Sequence, residues 1–126
     1  MKGYTTNLEE ETLKNDYFRK VLYTTPNLQL VVMSLLPGEE IGSEVHHLDQ
    51  FIRVERGEGK SVLDGEEHPL ADGSVVIIPG GTEHNIINTS ADKPLKLYTV
   101  YAPPNHAEGT IHKTKAEADA SEEHYG

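Results

Sequence analysis

Four side chains, in two groups, have the types and spacing to do chemistry. Residues 72–88 read DGSVVIIPGGTEHNIIN, an apolar run broken by Pro79-Gly80-Gly81 and followed by His84 at the start of a second apolar pair, Ile86-Ile87. Strand, sharp turn, strand is the physical reading, because β-branched runs favour strands while Gly and Pro punctuate them. A histidine on such a strand is more often a satisfied structural residue than a ligand, so His84 gains meaning only from its companions. Those are Glu44, His46 and Gln50. Side chains alternate along a strand, so Glu44 and His46 share a face. If the chain re-enters strand in the same phase, Gln50, Ile52 and Val54 point inward while Phe51, Arg53 and Glu55 point away. A carboxylate, an imidazole and an amide oxygen then line one wall, with His84 supplying a second imidazole. Two imidazoles and a carboxylate with open positions suit a divalent transition metal such as Fe, Mn, Zn, Ni or Co. The expected ligands are Glu44, His46, Gln50 and His84, and Glu44 is also the candidate catalytic group, as ligand or base.

The elements that must position these residues are short strands. Residues 17–23 (YFRKVLY), 28–36 (LQLVVMSLL), 51–55, 60–63, 66–70, 75–78 and 95–102 (LKLYTVYA) all read as strand. Asp64-Gly65 is the strongest two-residue hairpin signal among the connections. Residues 39–43 are polar, contain Gly42 and read as a loop. Turn signals recurring at about 8–12 residues predict an all-β sandwich or barrel. Residues 7–14 (NLEEETLK) predict one or two helical turns in an arm lying on the barrel or on a partner subunit. The polar, acidic tail, residues 105–126, carries a final dozen residues that read as helical or disordered.

At 126 residues the chain is expected to be one domain, with a barrel core at about 17–104, an arm at 1–16 and the tail at 105–126. It contains no cysteine, which excludes disulfides, thiolate metal sites and cysteine nucleophiles. A formal charge of -10 without a Lys/Arg cluster excludes nucleic acid as an expected partner. No apolar run reaches the roughly 20 residues of a membrane span, and no signal-peptide core is visible at the N-terminus, so the default location is cytoplasmic.

The residues around His84 resemble the second motif of the cupin superfamily, in which glycine, proline, glycine, histidine and asparagine stand at fixed spacing. Gly73, Pro79, Gly81, His84 and Asn88 fill those places without a gap. The first cupin motif fits between Gly38 and Gly57 in spacing, but Glu44 stands where its first histidine belongs, His46 is the second, and Gln50 replaces its glutamate. The resemblance covers roughly residues 28–102. It implies an all-β, double-stranded β-helix (jelly-roll) barrel with metal ligands inside, near one mouth. The competing reading is a cupin without metal, in which Glu44 and His46 pair with each other and Gln50 is a hydrogen-bonding core residue.

Other polar residues read as less central. His47 points away from His46, His68 belongs to the surface, and Arg53 is a surface ion-pairing residue. His106 and His112 follow Pro103-Pro104 and read as exposed, a role at the barrel mouth being the alternative. Tyr98 and Tyr101 have opposite parity, so one of them faces inward. Small single-domain cupins are often mannose-6-phosphate isomerase-like, which implies a metal-dependent isomerase or epimerase acting on a small polar or sugar-like molecule. The donor set equally suits a non-haem metal dioxygenase, and a non-catalytic small-molecule-binding barrel is the third reading. Basic residues of the barrel strands are counted as Arg53, Lys60 and Lys96, which argues against a phosphosugar. Apolar residues on both faces of YFRKVLY and LKLYTVYA predict a homodimer.

Overall fold

The computed structural model describes residues 1–121, and residues 122–126 of the tail lie outside the described part. Nine strands and two short helices run in the order α1 (Leu8–Lys14), β1 (Arg19–Thr24), β2 (Gln29–Leu35), β3 (Asp49–Arg56), β4 (Gly59–Leu63), β5 (Glu66–Leu70), β6 (Val75–Ile78), β7 (His84–Asn88), β8 (Leu95–Ala102), β9 (Ile111–His112) and α2 (Lys115–Ala120) among the described residues. Two antiparallel sheets face each other, one ordered β6-β3-β8-β2-β1-β9 and the other β5-β4-β7. This is the jelly-roll barrel.

The inward phase of each strand builds the core. Val31, Met33 and Leu35 of β2, Ile52 and Val54 of β3, Val76 and Ile78 of β6, Ile86 of β7, and Leu95 and Leu97 of β8 are buried together. Their alternation with exposed neighbours is clearest in β3 and β6, where the outward residues Asp49, Val75 and Ile77 are open to solvent. The hairpin between β4 and β5 turns on Asp64 (φ 48) and Gly65 (φ 83), the pair of left-handed residues a tight hairpin turn requires.

Residues 39–43 do more than connect. Glu40 bridges Ile87 and Glu44 bridges His84, so this stretch lies along the free edge of β7. Glu44 and His84 exchange both backbone hydrogen bonds at 2.9 Å.

The arm lies on its own barrel. Asn7 caps α1 by accepting from the Glu10 amide, and three glutamates occupy the first turn, where they complement the helix dipole. Lys96 of β8 is buried beneath this region, donating to the Asn15 carbonyl and, at 2.8 Å, to Asp16 Oδ1.

The tail forms helix α2 within the dozen residues that read as helical or disordered, and it adds a strand before it. Ile111 and His112 pair with Lys20 and Arg19 of β1, extending the large sheet. Thr114 and Glu117 then form a capping box that starts α2. The tail is anchored at its root by Gln29, which is fully buried. Its Oε1 accepts from the Asn105 and His106 amides, and its Nε2 donates to the His106 carbonyl at 2.8 Å.

Candidate functional site

His84 and Glu44 are held together by the bridge between β7 and the 39–44 segment, and His46 follows two residues on. The turn before His84 is fixed from two sides. Gly81, at φ 89, donates its amide to the His46 carbonyl at 2.6 Å, and Asp49 Oδ1 accepts from the Gly80 amide at 2.9 Å. A side chain at Gly81 would be strained in that left-handed conformation. The turn therefore ties the His84 strand directly to the His46 backbone. The two rings meet with centroids 5.1 Å apart and an interplanar angle of 55°.

Each ring has a defined neighbour. His84 Nδ1 lies 2.9 Å from the Thr82 carbonyl oxygen, which can only accept, so Nδ1 carries the hydrogen and the Nε2 of the neutral ring keeps its lone pair. A tether of this kind fixes the tautomer and orientation of a metal-binding imidazole. His46 Nε2 lies 2.8 Å from Glu44 Oε2. Burial alone would raise the Glu44 carboxyl, but the hydrogen bond from His46 and the charges of His46, Arg19 and His84 outweigh it and hold it below 4.5.

Gln50 is buried in the inward phase of β3. Its Nε2 donates to Thr99 Oγ1 at 3.1 Å, while its Oε1 is buried without a partner. A buried amide oxygen without a partner is a lone-pair donor held in reserve on the inward face of β3, since such atoms ordinarily find a partner.

Among the described residues, no three His, Asp or Glu side chains stand together as a formed metal centre. Glu44 is turned onto His46, the arrangement expected of the metal-free reading. The donor types nevertheless fit a divalent metal: one tethered imidazole with its Nε2 lone pair, a second imidazole, an ionised carboxylate and an unpartnered amide oxygen.

Tyr101 closes the site from β8. Its ring meets His46 edge-on at 6.2 Å and His106 edge-on at 5.3 Å. Burial, assisted by the Glu44 charge and opposed by Arg19 and a hydrogen bond with Asn105, pushes its hydroxyl up to about 12. Tyr101 is therefore a proton-bearing donor at neutral pH. Tyr98, of opposite parity, lies outside, stacked on Phe51.

Beyond Glu44 a cavity of about 140 Å³ opens between the barrel and the tail, lined among others by Arg19, Glu44, His106, His112 and Asp119. A hollow of about 300 Å³ beneath α1, lined by Glu11, Lys14 and Lys20, is remote from these residues. The lining corrects the expectation that His106 and His112 are exposed. His106 is buried against Tyr101, and His112 is drawn in by pairing with Arg19 across β1 and β9. The count of barrel cations is also corrected, because Arg19 is a buried strand residue. Its signal was in YFRKVLY, where it shares parity with Val21, which is also buried. His47 and His68 are exposed, and Arg53 pairs with Glu55.

Asn88, the last residue of the motif around His84, is structural. Its amide donates to the Leu35, Leu36 and Lys93 carbonyls, and its oxygen accepts from the Ser90 amide, locking the end of β7 to the end of β2.

The model of the cupin domain matches residues 31–101, more than half of the chain. The chain belongs to the cupin family. This cupin is 44% identical to the protein YrkC of Bacillus subtilis in an alignment covering 97% of this chain and 69% of YrkC. It is 43% identical to the protein L612 of Acanthamoeba polyphaga mimivirus, over 94% of this chain and 76% of that one. The crystal structure of BH2720 from Bacillus halodurans superimposes with a TM-score of 0.92 at 43% identity, covering 95% of this cupin and 96% of that chain. No helix among the described residues of this cupin is long and apolar enough to cross a membrane.

Proposed function

We propose that this cupin is a metal-dependent enzyme that moves a proton on a small polar molecule, in the manner of an isomerase or epimerase. The observation that carries the reading is the tethered His84, with its Nε2 lone pair, beside His46 and Glu44, with a buried, unpartnered oxygen on Gln50 of the inward β3 face. Those four residues are the ones that would hold a divalent metal. Such an ion supplies Lewis-acid polarisation of a carbonyl or hydroxyl oxygen.

The chain's own groups divide the remaining work. The 2.8 Å contact between His46 Nε2 and Glu44 is the metal-free arrangement, and it would open when an ion takes the His46 lone pair, leaving Glu44 as ligand or base. Tyr101, protonated at neutral pH, donates a hydrogen bond to an oxygen of the substrate. The tail keeps water from the reacting groups, with His106 packed on Tyr101.

A second reading, a non-catalytic small-molecule-binding barrel, is favoured by the Glu44–His46 hydrogen bond that already satisfies both groups. Metal analysis of protein purified without added metal separates the two. Near-stoichiometric metal, reduced severalfold by His84→Ala and by His46→Ala, is expected. Trace metal that these substitutions leave unchanged would sink the enzyme reading. With metal present, deuterium exchange into candidate sugars marks the isomerase, whereas oxygen consumption without exchange would assign a dioxygenase instead.

The assembly reading is a homodimer. Phe51, Val75, Ile77, Tyr98 and Val100 lie together on the outer face of β6, β3 and β8, with Ile77 58% exposed. A second copy of the chain covering this face would bury it.

A further inference from the structure

Arg19 is the group that the proposed chemistry leaves unexplained. Its residue is only 7% exposed, at the cavity between β1, β9 and α2. One face of the guanidinium rests on the Phe18 ring at 5.2 Å, and Nη1 lies 3.1 Å from His112 Nδ1. Its Nε is buried without a partner, and among the described residues no carboxylate forms an ion pair with it. A guanidinium carries five N–H donors in a planar fork, and burying its charge is costly unless an anion neutralises it. Among the described residues two carboxylates line the cavity, and although the Arg19 charge acts on Glu44, neither accepts a hydrogen bond from the guanidinium. Glu44 takes the hydrogen bond of His46 at 2.8 Å, and Asp119 takes that of Lys115 at 2.7 Å.

We propose that Arg19 is the anchor for the carboxylate of a small monocarboxylate substrate, held in this cavity with its remaining atoms directed toward Glu44 and His46. The inference deepens the reading of a small polar substrate by naming its charged handle. A planar carboxylate matches the fork in two parallel hydrogen bonds. At about 140 Å³ the cavity admits only a few heavy atoms, well below the roughly 300–1,000 Å³ of sites for drug-sized ligands. With two carboxylates already lining the cavity, a monocarboxylate adds one negative charge beside Arg19 where a phosphate dianion would add two.

Nuclear magnetic resonance titration of metal-stripped, full-length protein tests this without relying on the metal. Acetate is expected to shift the Arg19 and His112 side-chain signals saturably, while the neutral acetamide does not. Arg19→Gln is expected to weaken acetate binding about tenfold or more, with Arg19→Lys in between. The metal content of both variants stays at the parent value. Acetate binding that Arg19→Gln leaves intact, or that appears only after metal is restored, would overturn the proposal, because the anion would then sit on the metal. Inorganic phosphate binding more tightly than acetate would also overturn it. Should Arg19→Gln fail to fold, Arg19→Lys and the wild-type shifts decide alone: acetate shifts distant from residue 19, or unchanged affinity in the lysine variant, count against it. Acetate held at Arg19 by a protein that never takes metal would leave the inference standing and the enzyme reading lost.

Discussion

Two titratable residues of the site have environments that make opposite demands on pH. Tyr101 is neutral in the fold, its hydroxyl raised from 10.0 to about 12 mainly by burial. A raised value means that stability is complete below 10 and is lost as pH rises toward about 12, since unfolding then releases a proton the fold retains. Alkaline unfolding of Tyr101→Phe is expected to lose this component, so that the stability gap between variant and parent narrows or reverses over that interval. Glu44 works in the other direction. Its carboxyl lies below 4.5, so its contribution is complete above that value and is lost as pH falls through the lower folded value. Glu44→Gln is therefore expected to flatten the acid limb of the stability curve, as read by urea midpoints at successive pH values. An unchanged acid limb would mean that the Glu44–His46 hydrogen bond does not persist in solution.

The elements show how the site depends on segments far away in sequence. The turn at Gly80-Gly81 sets His84 against His46, and Gln29 holds the root of the tail by capturing Asn105 and His106. Gln29→Leu would leave two buried amides and one carbonyl without their partner. An unsatisfied buried polar group costs about 1–3 kcal/mol. The expected outcome is a clear drop in the urea midpoint, together with loss of protection at residues 105–112 in hydrogen exchange. Protection that survives in the variant would show that the pairing of β9 with β1, and not Gln29, holds the tail. The strands themselves were legible from alternation and turn residues, and β5, β6 and β8 occupy the spans read from the sequence. Strand β9 was not legible, because two residues carry no period and their pairing with β1 is a long-range event.

For the whole molecule, the outer face of β6, β3 and β8 carries the aromatic pair Phe51–Tyr98 with Val75 and Ile77, and Arg53, paired with Glu55, lies between Val75 and Tyr98. Light scattering at micromolar concentration is expected to give the mass of a dimer, and Ile77→Lys to give that of a monomer with the barrel intact. A monomeric parent would remove the homodimer reading. A charge of -10 makes copies of the chain repel one another at long range.

Returning to the four residues around His84, the inward phase of Gln50, Ile52 and Val54 followed from strand alternation alone, as did the placement of His84 after a glycine turn. A period of two leaves a side chain only two directions, and one polar residue in an apolar row names the wall it lines. The linear order could not show which groups satisfy one another inside that wall. Glu44 pairs with His46, Gln50 leaves its oxygen unpartnered, and His106 and Arg19 enter from the tail and the first strand. Those pairings are settled by sheet closure, which brings Arg19 beside His112 across 93 positions of sequence. Hydrogen bonds and charge interactions depend on distances of a few ångströms, and only the folded barrel sets them.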